Sequence, residues 1–137
     1  MPISIFSDSW AAACARVLNQ SQTYREAAIA WEATVLLVMT PDKEGEERGV
    51  FFDLWRGECR AARVGGVADE SLAQYVLTGS QSTWRQVLSG DVAPLLAVMT
   101  GRLRLIKGSL VELLPYSHAA KELLAAAAGL EAEFPQS

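Results

Sequence analysis

The apolar residues between Val92 and Leu105 change period once, and that change limits the layers this chain can build. Val92, Leu95, Leu96 and Met99 recur at i, i+3, i+4 and i+7, which sets them on one face of a helix. After Gly101 the repeat becomes two. In Arg102-Leu103-Arg104-Leu105 the leucines point one way and the arginines the other, as in a strand with one buried face. Both elements have an apolar side to bury, and packing a helix against a sheet does that for each. Ile106 interrupts the alternation and predicts a bulge or the strand's end.

The remaining elements follow from the same two periods. Ser7 or Asp8 can cap a helix carrying Trp10, Ala13, Cys14, Val17 and Leu18, and Ser21 a second with Tyr24, Ala27, Ala28 and Trp31 on one side. Strands are expected over residues 34–40, 50–55, 59–64, 75–78 and 102–105, separated by Pro41-Asp42, Arg56-Gly57-Glu58 and Gly65-Gly66. Ser82 or Thr83 can cap a short helix bearing Trp84, Val87 and Leu88. Asp91 can cap the next, where Pro94 is tolerable in the first turn. An apolar turn, residues 110–114, precedes a last helix with Tyr116, Ala119, Ala120, Leu123, Leu124 and Ala127, and Gly129 suits its C′ position. About five strands, mostly as hairpins, and about five helices gathered towards the two ends point to an α+β two-layer domain with a largely antiparallel sheet, spanning residues 1–137.

Several classes of function are disfavoured. A net charge of −4 with scattered Lys and Arg is not the clustered basic excess of a nucleic-acid surface. The longest apolar run, Val35 to Met39, is too short to span a bilayer, and no signal peptide is evident at the start. Cys14 and Cys59 stand alone, outside any metal or redox spacing, and read as free thiols in a reducing cytoplasm. No cofactor motif is present.

The ordered string Trp84-x-x-Val87-Leu88-x-Gly90-Asp91-x-x-Pro94-x-x-Ala97-x-Met99-x-Gly101-Arg102-Leu103-Arg104-Leu105 resembles the signature of the sterol carrier protein-2-like domain family. That signature runs from a short helix ending in Gly, through an apolar helix ending Met-x-Gly, into an alternating basic and apolar strand. Gly49-Val-Phe-Phe-Asp53-Leu-Trp-Arg-Gly57 is similar to the family's strand-and-turn hairpin. Leu18 to Ala28 with Trp31-Glu32 is similar to its bacterial members. Two departures, the extra Ile106 before Gly108 and Ser109 in place of an acidic residue or Asn, fall at the expected cavity mouth. The C-terminal Phe-Pro-Gln-Ser is not a peroxisomal address, so the resemblance is to a prokaryotic, cytoplasmic, stand-alone member.

The resemblance implies an apolar tunnel for lipid-like ligands (fatty acid, fatty acyl-CoA or sterol), bound and transferred without catalysis. Trp84, Val87, Leu88, Leu95, Leu96 and Met99 are then expected to face the cavity as well as the core, with Leu103, Leu105, Leu110, Leu113 and Leu114 completing its wall. The competing reading keeps the fold but fills the cavity with side chains, making a structural or homodimerising module. Charged and nucleophilic residues have plain roles in either case. His118 reads as a surface or edge-packed imidazole with no evident partner, Asp53 as a solvent-facing or turn-satisfying carboxylate, and Cys14 and Cys59 as small core residues. Arg102, Arg104 and Lys107 either blunt an exposed strand or meet a ligand head group.

Overall fold

Two serines start the fold. A computed structural model describes residues 3–42, 45–130 and 132–134. Ser7 accepts the Trp10 N–H at 3.2 Å and caps α1 (Asp8–Gln20), and Ser21 accepts the Tyr24 N–H at 3.1 Å and caps α2 (Gln22–Ala27). Trp31 lies beyond the end of α2, in the turn that enters the sheet. The charged segment after Pro41-Asp42 is described apart from residues 43 and 44, and the next strand already begins at Arg48. The C-terminal Pro135-Gln136-Ser137 lies outside the described residues.

The sheet has five strands, β2 (Glu32–Thr40), β3 (Arg48–Trp55), β4 (Glu58–Gly65), β5 (Tyr75–Ser80) and β6 (Leu103–Lys107), in the order β4-β3-β2-β5-β6. Every pairing in this sheet is antiparallel except that of β2 with β5, which run parallel with Val35 opposite Tyr75 and Leu37 opposite Leu77. The interruption at Ile106 is a bulge. Leu105 pairs with Leu77 and Lys107 with Val76, leaving Ile106 as the extra residue. A short parallel pair, β1 (Ile3–Ser4) with β7 (Ala132–Glu133), lies apart from this sheet and had no periodic signal in the sequence.

Helices α3 (Gln81–Leu88), α4 (Pro94–Met99), α5 (Leu110–Leu113) and α6 (Ser117–Ala128) complete the chain. Two expected caps move. Ser80 caps α3, because Ser82 is turned to Asp42 instead, its N–H and hydroxyl both donating to that carboxylate. Asp91 does not cap α4, which begins at Pro94. Proline drives the residue before it into the extended region, and Ala93 sits at φ −65°, ψ 142°, so Val92 is left outside the helix. Gly129 ends α6 in a right-handed conformation at φ −72° and not as a left-handed C′ residue.

Burial divides by sheet face. Val50, Phe52 and Leu54 of β3 meet Trp10, Cys14 and Leu18 of α1 in the main core, while Phe51 on the other face packs with Leu36, Val76 and Ala73. Asn19 fastens α1 to β4, its amide accepting the Cys59 N–H at 2.8 Å and donating to the Cys59 carbonyl at 3.0 Å. Both cysteines are free and buried. Burial, with the second thiol nearby, pushes Cys14 up to about 12, and burial pushes Cys59 up to about 11. Neither thiol is therefore expected to react with Ellman's reagent at pH 8 until the protein is unfolded. Because the folded values are raised, this contribution to stability is present at neutral pH and declines as the pH climbs past the ordinary thiol value of 9.0.

Candidate functional site

The inner face of the sheet supplies the floor of an apolar pocket. Alternation along β2 turns Val35 and Leu37 to that face, and the parallel register sets Tyr75 and Leu77 of β5 beside them. Leu103 of edge strand β6 extends the floor. Pro94, Leu95 and Val98 of α4 form one wall, Leu110 and Leu113 of α5 another, and Ser117, Ala120, Leu123 and Leu124 of α6 the third. Trp31 also lines the pocket, stacked on Tyr116 with ring centroids 5.8 Å apart. Ser117 and Ala120 are the small members of the α6 face, so space remains where a leucine would have filled it.

The open space at the centre is about 70 Å³, and about 700 Å³ when crevices and the mouth are included. The smaller figure decides what fits as the pocket stands, which is a few methylenes and not a long chain. Its walls are lightly held. Ala97 is the buried residue of α4, and α5 has none. Both helices are held mainly by partly buried side chains such as Val98 and Leu113, the kind of element that opens locally at low free-energy cost.

Polar groups are sparse here. The Tyr75 hydroxyl donates to Glu112 at 3.4 Å, and burial together with that carboxylate raises the phenol above its ordinary value. Trp31 Nε1 is buried with no hydrogen-bond partner among the described residues. Of the expected wall residues, Leu95, Leu103, Leu110 and Leu113 line the pocket. Leu105 is half-buried against the core beside it. Trp84, Val87 and Leu88 are in the main core, where Trp84 Nε1 donates to the Val38 carbonyl at 2.9 Å. Leu96, Met99 and Leu114 turn outward to solvent. His118 is exposed, Asp53 pairs with Arg60 at 3.0 Å, and Lys107 donates to the Glu70 and Ser71 carbonyls. Among the described residues no cluster of His, Cys, Asp and Glu could hold a metal ion, and no helix is long and apolar enough to cross a membrane.

Gly108 holds this geometry in place. Its φ is +97°, and a Cβ there would collide with the Tyr75 ring and come within 2.9 Å of the Gln74 carbonyl. Gly108→Ala is expected to cost about 1–3 kcal/mol in a denaturant melt and to shift the Tyr75 ring that forms the pocket floor.

The SCP-2 sterol transfer family matches residues 13–121. A crystal structure of sterol carrier protein 2 is 38% identical over 93% of this chain and 99% of its own, with a TM-score of 0.84. A conserved hypothetical protein of Thermus thermophilus, described as a candidate sterol carrier protein, is also 38% identical, over 98% of this chain and 94% of its own, with a TM-score of 0.85. The sterol carrier protein-2 of Aedes aegypti, in complex with palmitate, shares the fold at 15% identity, over 90% of this chain and 98% of its own, with a TM-score of 0.56. No curated protein is similar enough in sequence to count as a relative. The pocket's position between sheet and helices and the match across most of the chain agree: this protein belongs to the SCP-2 sterol transfer family.

Proposed function

We propose that the protein binds, and hands on, lipid-like molecules with one long apolar chain, and that it does so without chemistry. The observation that carries this is a pocket whose walls are almost wholly aliphatic and aromatic, next to two lightly held helices. Burying methylenes is worth about 0.8 kcal/mol each, so a chain of about a dozen gains on the order of 10 kcal/mol before ordering costs. The palmitate complex of the Aedes protein supports a fatty-acid-like chain as guest. The net charge of −4 supports a surface that nucleic acids avoid, and two buried free thiols support a reducing compartment such as the cytoplasm.

Titration with a fluorescent fatty acid, chased by unlabelled palmitate and by a sterol, tests the reading, with a fluorescent oligonucleotide alongside. Saturable binding of the acyl probe at micromolar concentration, displaced by at least one competitor, is expected, with no response to the oligonucleotide. Oligonucleotide binding alone would sink it.

A further inference from the structure

We infer that Glu112, with the hydroxyls of Tyr75 and Ser117, sorts guests by their polar end. An uncharged end that donates a hydrogen bond, such as an alcohol, is favoured over a carboxylate. This rests on the pocket reading above and adds to it a choice of head group. The pocket is nearly all hydrocarbon, so the few polar atoms on its walls fix which end of a guest lies where. Two lining residues carry hydroxyls. The Tyr75 ring lies along the floor, and its oxygen reaches Glu112 at 3.4 Å. Ser117, half-buried at the start of α6, makes no hydrogen bond through its hydroxyl among the described residues. Glu112 itself is exposed, on the short helix whose Leu110 and Leu113 line the pocket. A solvated carboxylate bonded to a buried phenol marks where the pocket meets water, and the polar end of a guest belongs there.

Charge at this end has one sign. Glu112 forms no ion pair among the described residues. Arg102 donates to Gln86 at 3.1 Å, and Lys107 donates to the Glu70 and Ser71 carbonyls. Arg104 lies opposite Thr78 and alternates with Leu103 and Leu105, which puts it on the other face of the sheet. His118 and Lys121 of α6 are exposed and pair with no carboxylate among the described residues. The phenol reports the same balance: burial and Glu112 push Tyr75 up, Tyr116 adds to that, and no cation pulls it down. A carboxylate brought here must sit beside Glu112 or take the Tyr75 hydroxyl from it, and either sets two like charges together. An alcohol does neither. Its O–H donates to Glu112 while its oxygen accepts from Ser117, and Tyr75 keeps its bond.

Competition against a fluorescent acyl probe at pH 8 tests this with three guests of one chain length: dodecanol, dodecanoate and methyl dodecanoate. Alcohols leave water more readily than carboxylates for any apolar pocket. The result therefore lies in how variants change the ratios of affinity, and not in the wild-type order. In Glu112→Gln, dodecanoate is expected to gain about fivefold relative to the methyl ester, the repulsion of two unit charges about 4 Å apart in water. In Glu112→Lys the gain should be about 25-fold, because attraction of like size replaces that repulsion. Ser117→Ala should weaken dodecanol by about threefold, the net worth of one hydrogen bond. Ratios that stay at the wild-type value in both Glu112 variants would overturn the selection and leave the pocket reading standing. A wild type that binds neither the probe nor any competitor would defeat the pocket reading, and the selection with it. Dodecanoate binding that Lys121→Gln weakens and Glu112→Gln does not strengthen would seat the carboxylate at α6 and overturn the role of Glu112.

Discussion

Leu77→Trp is expected to abolish most acyl-chain binding while leaving the fold nearly as stable as before. Leu77 lies on β5, an interior strand flanked by β2 and β6, and its side chain lines the pocket. The floor cannot retreat as the short helices can, and an indole in place of an isobutyl group adds volume comparable to the central space. Excluding three or four methylenes from burial at about 0.8 kcal/mol each corresponds to about 100-fold in affinity. Filling a real void should cost less than about 1 kcal/mol, whereas overpacking a full core costs about 1–3 kcal/mol. Paired acyl-probe titrations and thermal melts separate the two cases. Leu96→Trp is the control. Leu96 sits on the outer side of α4, so the same substitution there should leave solution affinity and melting alike.

Trp84→Ala should give the largest loss of stability of any single change at the expected wall positions. The indole is fully buried, meets Phe6 edge-on at 5.5 Å, and donates Nε1 to the Val38 carbonyl at 2.9 Å. Truncation leaves a cavity of indole size and an unpaired carbonyl, together worth about 3–5 kcal/mol. For a chain of this length that lowers the melting temperature by roughly 10 °C or more. Any ligand affinity remaining at low temperature should be close to that of the wild type, because Trp84 supports the sheet from α3 and does not line the pocket.

The contrast between these two residues shows what the sequence could carry. The existence and type of the five sheet strands and of most helices were legible, because period two and period 3.6 are local properties. The interruption at Ile106 was legible for the same reason, as a bulge or the strand's end, and the pairing of Lys107 with Val76 makes it a bulge. The facing of α4 was not. Its residues are apolar on both sides, so the i, i+3, i+4 spacing fits either the Leu95 side or the Leu96 and Met99 side. Pro94 settled the matter by starting the helix late and dropping Val92 from the stripe. The pocket floor was also out of reach. Val35, Leu37, Tyr75 and Leu77 lie in unbroken apolar runs that show no preferred face, and only the parallel pairing of β2 with β5 makes them neighbours, across about 40 positions of chain. Ser117 and Ala120 gave a signal that was available and went unread: small residues within a leucine-bearing helical face mark where space is left.

Isotope-edited nuclear Overhauser spectra of the protein with carbon-13-labelled palmitate test most directly whether an apolar chain lies inside this pocket. Contacts are expected from the chain methylenes to the methyl groups of Leu77, Val98, Leu113 and Leu124, with weaker contacts or none to Leu36 on the opposite face of the sheet. Contacts confined to the outward-facing Leu96, Met99 and Val111, or no contacts at saturating palmitate, would contradict it.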